Sequence, residues 1–218
     1  MYGNRLSVIK EEKYLGVTDN LSWSRHVDII VRESYRKLGV ICRVFYSCGS
    51  YVKNLLYYQI VRSKLDYCST VWDPYQLYNQ RALEKVQRRA GRIVVGRWDV
   101  NYTDILKELE WISLHQRRCL SRNILCYRIV NDLIDIPFSN YFTFRNVRPL
   151  RSSHDMQIEC KFARTDVCKY SYFYHTIVNW NNLSGKIIDA NSTSLFKTLL
   201  KDSIRQDDHA NCHICSSL

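Results

Sequence analysis

Five basic side chains recur at helical spacing in the middle of this chain. Drawn as a helix, residues 77–95 place them within an arc of about 100°. They are Arg81, Lys85, Arg88, Arg89 and Arg92. The opposite face is apolar, so it would anchor the helix while the charges point outward, where they could neutralise phosphates of a nucleic-acid duplex. The pattern predicts a nucleic-acid-binding face; a charged face that only contacts solvent is the alternative.

Carboxylates that bind Mg²⁺ must converge from a rigid hairpin or from neighbouring strands, and no such arrangement is evident. The only adjacent aspartates, Asp207 and Asp208, stand in a polar tail. Asp66 and Asp73 are predicted to be a helix-end residue and a turn former before Pro74. The closely spaced glycines of a phosphate-binding loop are also missing from the sequence. We therefore predict no catalytic residue, no metal ligand and no cofactor for this chain.

The C-terminal tail combines two histidines with two cysteines. His209, Cys212, His213 and Cys215 fall within seven residues. Structural zinc usually takes two pairs of ligands joined by a longer loop, which such a short segment can hardly provide. A frayed tail with free thiols is the prediction, and a partial zinc site completed by another chain or by a missing segment is the alternative. The remaining histidines are scattered and are predicted to be surface or capping residues.

Composition favours helices over many short strands, because Gly (7) and Pro (3) are scarce among 218 residues. Apolar periodicity places the elements as follows. Helices are predicted over 22–46, 51–64, 77–95, 103–109 (capped by Thr103), 113–131 (capped by Ser113), 169–183 and 194–204; a strand is predicted over 156–162 and a hairpin over 1–21.

The chain is strongly basic, with 32 Lys and Arg against 21 Asp and Glu and a net charge of +11. This balance suits a polyanionic partner. Mean hydropathy is −0.32, and no apolar run approaches the roughly 18 residues of a membrane helix. Nine cysteines, an odd number, do not suggest a secreted disulfide framework. An intracellular protein without a membrane partner is expected.

Several strings occur in an order typical of one family. They are KYLGV (13–17), LSWS (21–24), KLDYC (64–68), VWDPY (71–75), LEKVQRRA (83–90) and WNNL (180–183). Over about residues 5–200 the chain resembles the reverse transcriptases of LINE-type (non-LTR) retrotransposons, especially jockey-like elements. One block alone would be weak support, whereas the ordered series is specific.

The resemblance implies the C-terminal region of such an enzyme, covering primer grip, thumb and downstream segment. The YLGV string looks like the primer-grip strand, which would put Tyr14, Leu15 and Gly16 near the primer end. The family's aromatic-x-Asp-Asp hairpin has no counterpart, so the catalytic palm and its Mg²⁺ would belong to the parent enzyme. That the basic helix follows the template–primer duplex is a physical inference rather than a family assignment.

A mainly α fold is therefore expected, built as a helical thumb-like bundle with a short N-terminal β-hairpin and a small α+β C-terminal part. Its predicted divisions are a primer-grip-like hairpin (1–21), a helical thumb-like region (22–137), a C-terminal α+β region (138–204) and a polar tail (205–218).

The expected function is that of a fragment of an RNA-directed DNA polymerase, inactive alone but retaining affinity for template–primer nucleic acid. Its partners would be that duplex and the missing palm and fingers, and the resemblance implies a nuclear location. The alternative is a non-enzymatic helical protein-interaction module derived from a mobile element.

Overall fold

A computed structural model describes residues 13–14, 17–18, 23–146 and 154–206, and these residues are mainly helical. Two short strands come first, β1 (Lys13–Tyr14) and β2 (Val17–Thr18), paired antiparallel with Tyr14 opposite Val17. Most of the hairpin expected over residues 1–21 lies outside the described residues, so that element stays a prediction.

The first helix, α1 (Trp23–Val44), follows the predicted span of 22–46 closely. Its buried residues recur every three or four positions, as one face of a helix requires. They are His26, Val27, Ile30, Ser34, Leu38 and Ile41. This face packs against the helix that carries the predicted basic residues.

The second helical segment contains a π-helix between two α-helical pieces. It consists of α2 (Ser50–Leu56), the π-helix (Tyr57–Arg62) and α3 (Ser63–Asp66). Apolar spacing in the sequence predicts that Val52, Leu55, Leu56, Gln59 and Ile60 share the buried face of this helix. That prediction was wrong, because only Leu56 is partly buried and the other four are exposed. The core contacts come instead from Tyr57, Val61 and Leu65, spaced four apart. The wider turn of a π-helix keeps residues at this spacing close to one face.

The central helices are α4 (Leu77–Val95), α5 (Tyr102–Glu108) and α6 (Leu114–Val130). Helix α4 ends at Val95 as predicted, and Gly96 caps it in the left-handed conformation at φ 77°, which suits a residue without Cβ. Ser113 caps α6 as predicted, in a reciprocal capping box with Gln116. The α5 prediction began one residue late, since Asn101 is the N-cap and Thr103 lies inside the first turn.

The C-terminal region is helical among its described residues. Its helices are α7 (Phe138–Tyr141), α8 (Asp166–Lys169), α9 (Tyr172–Asn181), α10 (Gly185–Ile188) and α11 (Thr193–Gln206). The strand predicted over 156–162 was wrong: this part of the structure holds one isolated antiparallel bridge, Phe144 to Ile158. Alternating apolar residues form a strand only where a longer segment pairs with them, and residues 156–162 have no such partner among the described residues. The β part of the expected α+β region is therefore this single bridge.

Two apolar clusters form the interior. The first cluster joins α1, the π-helix, α4 and α5 around Val27, Val61 and Leu83, and it includes Leu114 at the start of α6. The second cluster joins α6, α9 and α11 around Cys126, Trp180 and Phe196. Helix α6 therefore contributes to both clusters.

Candidate nucleic-acid interface

Helix α4 is anchored along one face and open along the other. Its buried residues are Asn79, Leu83, Val86, Gln87, Ala90, Gly91, Ile93 and Val94. Gln87 accepts a hydrogen bond from the Tyr57 hydroxyl at 3.1 Å and donates one to the Ile112 carbonyl at 2.8 Å. This buried bridge satisfies the polar groups and fixes the rotation of α4 about its axis.

The outward face of α4 carries the predicted cations. Arg81, Lys85, Arg88 and Arg89 are exposed on it, and these four residues are called the basic face below. Arg92 is half-buried, and its Nε is buried without a hydrogen-bond partner. Four of the five predicted cations thus share the exposed face, and Arg92, at the C-terminal end, is the exception.

The predicted primer-end contacts cannot be placed beside the basic face. Tyr14 lies in β1, where only the backbone is described, and Leu15 and Gly16 lie outside the described residues. Their role stays a prediction.

Two arginines of the basic face lie over tyrosine rings on either side of α4. The Arg88 guanidinium carbon is 5.2 Å from the ring centroid of Tyr102 in α5. The Arg89 guanidinium carbon is 5.8 Å from the ring centroid of Tyr35 in α1. Cation–π contacts at these distances restrict the rotamers of exposed arginines. The two guanidinium groups are therefore held toward different helices, Arg88 toward α5 and Arg89 toward α1.

On the α5 side, a pocket of about 440 Å³ opens beside the basic face. It is called the α4–α5 pocket. Its lining consists of Leu77, Gln80, Arg81, Glu84, Lys85, Arg88, Tyr102 and His115. Glu84 accepts hydrogen bonds from the Tyr102 hydroxyl and, at 3.0 Å, from the His115 backbone N–H. Burial and the Glu84 carboxylate raise the pKa of Tyr102, so its hydroxyl remains a donor to Glu84.

On the α1 side, a shallow groove of about 710 Å³ follows the exposed surface of α1. Asp28, Val31, Arg32, Tyr35 and Arg36 line it. Because Arg89 lies over Tyr35, the basic face continues into Arg32 and Arg36 of this groove. Sequence reasoning missed this extension, because it confined the predicted nucleic-acid-binding face to residues 77–95.

Behind the interface lies a cluster of charges, called the ion cluster. It contains Asp66, Asp73, Arg117, Arg118 and Arg122. Asp73 faces Arg122 and, at 3.6 Å, the Nε of Arg118, while Asp66 pairs with Arg117 and Arg62. The Arg118 guanidinium carbon also lies 4.9 Å from the ring centroid of Trp72. The two aspartates are thus ion-pair partners rather than a helix end and a turn former alone.

Burial changes the acidity of groups in and beside this cluster. It lowers the pKa of Arg117 to about 9 and that of Arg118 to about 10, and both remain cationic at neutral pH. Burial, Arg122 and His115 lower the pKa of His175 to about 3, although its Nδ1 lies 4.0 Å from Asp73. The arginines already balance the Asp73 charge, so His175 is neutral.

The scattered histidines are less exposed than predicted. His26, His154 and His175 are buried, and His154 Nε2 lies 3.2 Å from the Trp180 carbonyl oxygen. Within the described ranges, His, Cys, Asp and Glu side chains form no group of three or more suited to hold a metal ion. The His and Cys residues of the tail lie outside these ranges.

None of the helices between residues 23 and 206 that the structure describes is both long and apolar enough to cross a bilayer.

No protein-family model, curated protein or solved structure matches the chain.

Proposed function

We propose that this chain binds nucleic acid through the basic face of α4. One observation carries the proposal: four exposed cations share the outer face of a helix that is anchored on its other side. Arg81 and Arg89 are eight residues apart, or about 12 Å along the helix axis. Duplex DNA presents about one phosphate charge per 1.7 Å of its axis, so several phosphates lie within that span.

The aromatic residues beside the basic face favour nucleic acid over a polyanion that has no bases. Arg88 and Arg89 are oriented by Tyr102 and Tyr35, and oriented guanidinium groups form directed hydrogen bonds to phosphate oxygens. Trp98 is 54% exposed just beyond the end of α4 and can stack on an unpaired base. The α1 groove adds Arg32 and Arg36 to the same electropositive surface.

We propose further that the chain is the primer-grip, thumb and downstream region of a LINE-type reverse transcriptase, working in the nucleus beside a palm and fingers supplied elsewhere. The ordered strings between residues 13 and 183 support this assignment, and a mainly helical fold is compatible with it. On this view the basic face holds the template–primer duplex and the isolated chain does not polymerise. A primer-extension assay with Mg²⁺ tests the last point, and robust nucleotide incorporation would overturn it.

The central test measures duplex affinity against salt. The four-residue variant Arg81→Gln, Lys85→Gln, Arg88→Gln and Arg89→Gln should bind far more weakly. It should also flatten the dependence of log K on log salt, by up to about 0.9 for each phosphate that the variant no longer neutralises.

A matched control removes four exposed cations elsewhere, through Lys161→Gln, Arg164→Gln, Lys186→Gln and Lys197→Gln. Both variants have the same net charge, so only the position of the charge differs. Circular dichroism of both variants checks that they remain folded. Equal loss of affinity in the two variants would reduce the interaction to net charge and contradict the proposed interface.

A second candidate function is a protein-interaction module. Large apolar side chains are exposed where α1 gives way to α2, including Val44 at 64%, Tyr46 at 76% and Tyr51 at 79%. Exposed apolar patches mark interaction surfaces more often than chance. This candidate gains support if duplex affinity is weak and indifferent both to salt and to the charges of α4.

A further inference from the structure

Three of the four cations of the basic face line the α4–α5 pocket, a recess that is partly open to solvent. Arg81, Lys85 and Arg88 all line it. Among the residues that the structure describes, none of these three has a carboxylate within ion-pair distance. Glu84 lines the same pocket, but both its oxygens already accept hydrogen bonds, from Tyr102 and from the His115 backbone.

The charge balance of the pocket favours a compact dianion. Three cations against one carboxylate leave an excess of two positive charges. A phosphate monoester carries about −1.5 to −2 at pH 7 and offers three acceptor oxygens. A phosphodiester within a strand carries a single negative charge, so it would leave part of that excess unbalanced.

The shape of the pocket points to the end of a strand. A volume of about 440 Å³ falls within the range of small-molecule sites, roughly 300–1,000 Å³, and can admit a terminal nucleotide. Leu77 supplies an apolar wall against which a sugar or base can pack. A terminal phosphate is linked to the strand on one side only, so it can turn into this recess more freely than an internal phosphate, which is linked on both sides.

We propose that the α4–α5 pocket binds the phosphate monoester at the end of a nucleic-acid strand. This inference rests on the proposed nucleic-acid binding and specifies which part of the nucleic acid the pocket accepts. Arg89 and the α1 groove then contact internal phosphates, while the pocket contacts the end.

The test compares short blunt duplexes of one sequence carrying 5′-phosphate, 3′-phosphate or only hydroxyl ends, by fluorescence anisotropy. One phosphorylated duplex should bind about tenfold more tightly than the hydroxyl duplex, the gain expected from one charge-assisted hydrogen bond. The phosphorylated duplex that gains affinity identifies the strand end. A further titration adds a nucleoside monophosphate as a competitor for the pocket. If it abolishes the preference for the phosphorylated duplex but leaves the binding of the hydroxyl duplex intact, the result supports binding of the terminal phosphate in this pocket.

Two failures are distinguishable. If all three duplexes bind with equal affinity, the end-binding inference is wrong while the proposed function stands. If none of them binds, the proposed function itself fails and the inference fails with it.

Variants on the two sides of α4 locate the effect. Lys85 lines the pocket, so Lys85→Gln should bring the ratio of the affinities for the phosphorylated and hydroxyl duplexes close to one. Arg89 contacts Tyr35 of α1 and does not line the pocket, so Arg89→Gln should weaken the binding of both duplexes and preserve the ratio. Loss of the preference in Arg89→Gln to the same extent as in Lys85→Gln would overturn the assignment to this pocket.

Discussion

Replacing Asp73 with asparagine should destabilise the fold more than the equivalent change at Asp66, the other aspartate of the ion cluster. Asp73 faces Arg118 and Arg122, whose side chains are only 5% and 1% exposed. The substitution keeps the shape of the side chain but removes its charge, so two buried guanidinium groups lose their counter-charge. Breaking a buried ion pair from one side costs about 3–5 kcal/mol.

That cost is large against the whole stability of a domain, which is about 5–15 kcal/mol. For a chain of this size, each kcal/mol lowers Tm by about 2–4 °C, so Asp73→Asn should lower it by roughly 6–20 °C. Urea denaturation followed by tryptophan fluorescence measures the free energy of unfolding directly. Trp72 lies against the Arg118 guanidinium, so it also reports on the cluster itself.

Asp66→Asn is the matched comparison. The Asp66 side chain is 39% exposed, and one of its partners, Arg62, is itself 34% exposed. Solvent screens that pair, and exposed ion pairs contribute about 0–1 kcal/mol. The second partner of Asp66, Arg117, is only 10% exposed. The loss of stability in Asp66→Asn should therefore exceed that of a surface pair but stay well below the loss in Asp73→Asn.

A double variant isolates the charge effect. Combining Asp73→Asn with Arg122→Met removes one of the two stranded cations, so part of the lost stability should return. Equal costs for Asp66→Asn and Asp73→Asn, or a loss below about 1 kcal/mol for Asp73→Asn, would refute the reasoning that burial governs this cluster.

Three further predictions concern single residues. The pKa of His175 is about 3 in the folded chain and about 6.5 in the unfolded chain, so between these pH values only the unfolded chain binds the extra proton. The free energy of unfolding should therefore fall by about 2 kcal/mol from pH 7 to pH 5. In a pH series of urea titrations, His175→Gln should remove that part of the fall. In Gly91→Ala, the new Cβ would overlap the buried side chain of Ile105, so thermal unfolding should show a loss of about 1–3 kcal/mol, and an unchanged Tm would contradict the packing described. Ser113→Ala should cost about 1 kcal/mol by chemical denaturation whereas Ser113→Asp retains the cap, and equal stabilities would contradict a role for the capping box.

The long amphipathic helices were predictable because their patterns repeat many times. The buried positions Val27, Ile30, Leu38 and Ile41 of α1 follow from apolar spacing, and α4 begins and ends at the predicted residues. Gly96 marks the end of α4 because few other residues adopt its left-handed conformation without strain. The outward position of the basic face followed from the same periodicity.

Other features depend on partners that are distant in the sequence. The partners of Asp73 lie 45 and 49 residues away, and buried arginines are rare enough that sequence reasoning assigns them to the surface. One signal was available: Arg118 and Arg122 continue the four-residue spacing of Leu114 and Cys126, which places them on a buried stripe. The π-helix at Tyr57–Arg62 has no comparable signal in the apolar pattern.

The sharing of α6 between the two apolar clusters has a consequence for how the chain melts. Leu114 belongs to the first cluster and Cys126 to the second, and the arginines between them pair with aspartates before α4. Neither cluster can lose α6 without exposing apolar surface and stranding charges. The two halves should therefore unfold together in a single cooperative transition, and a cut at residues 137–138 would separate the second cluster from a helix it needs.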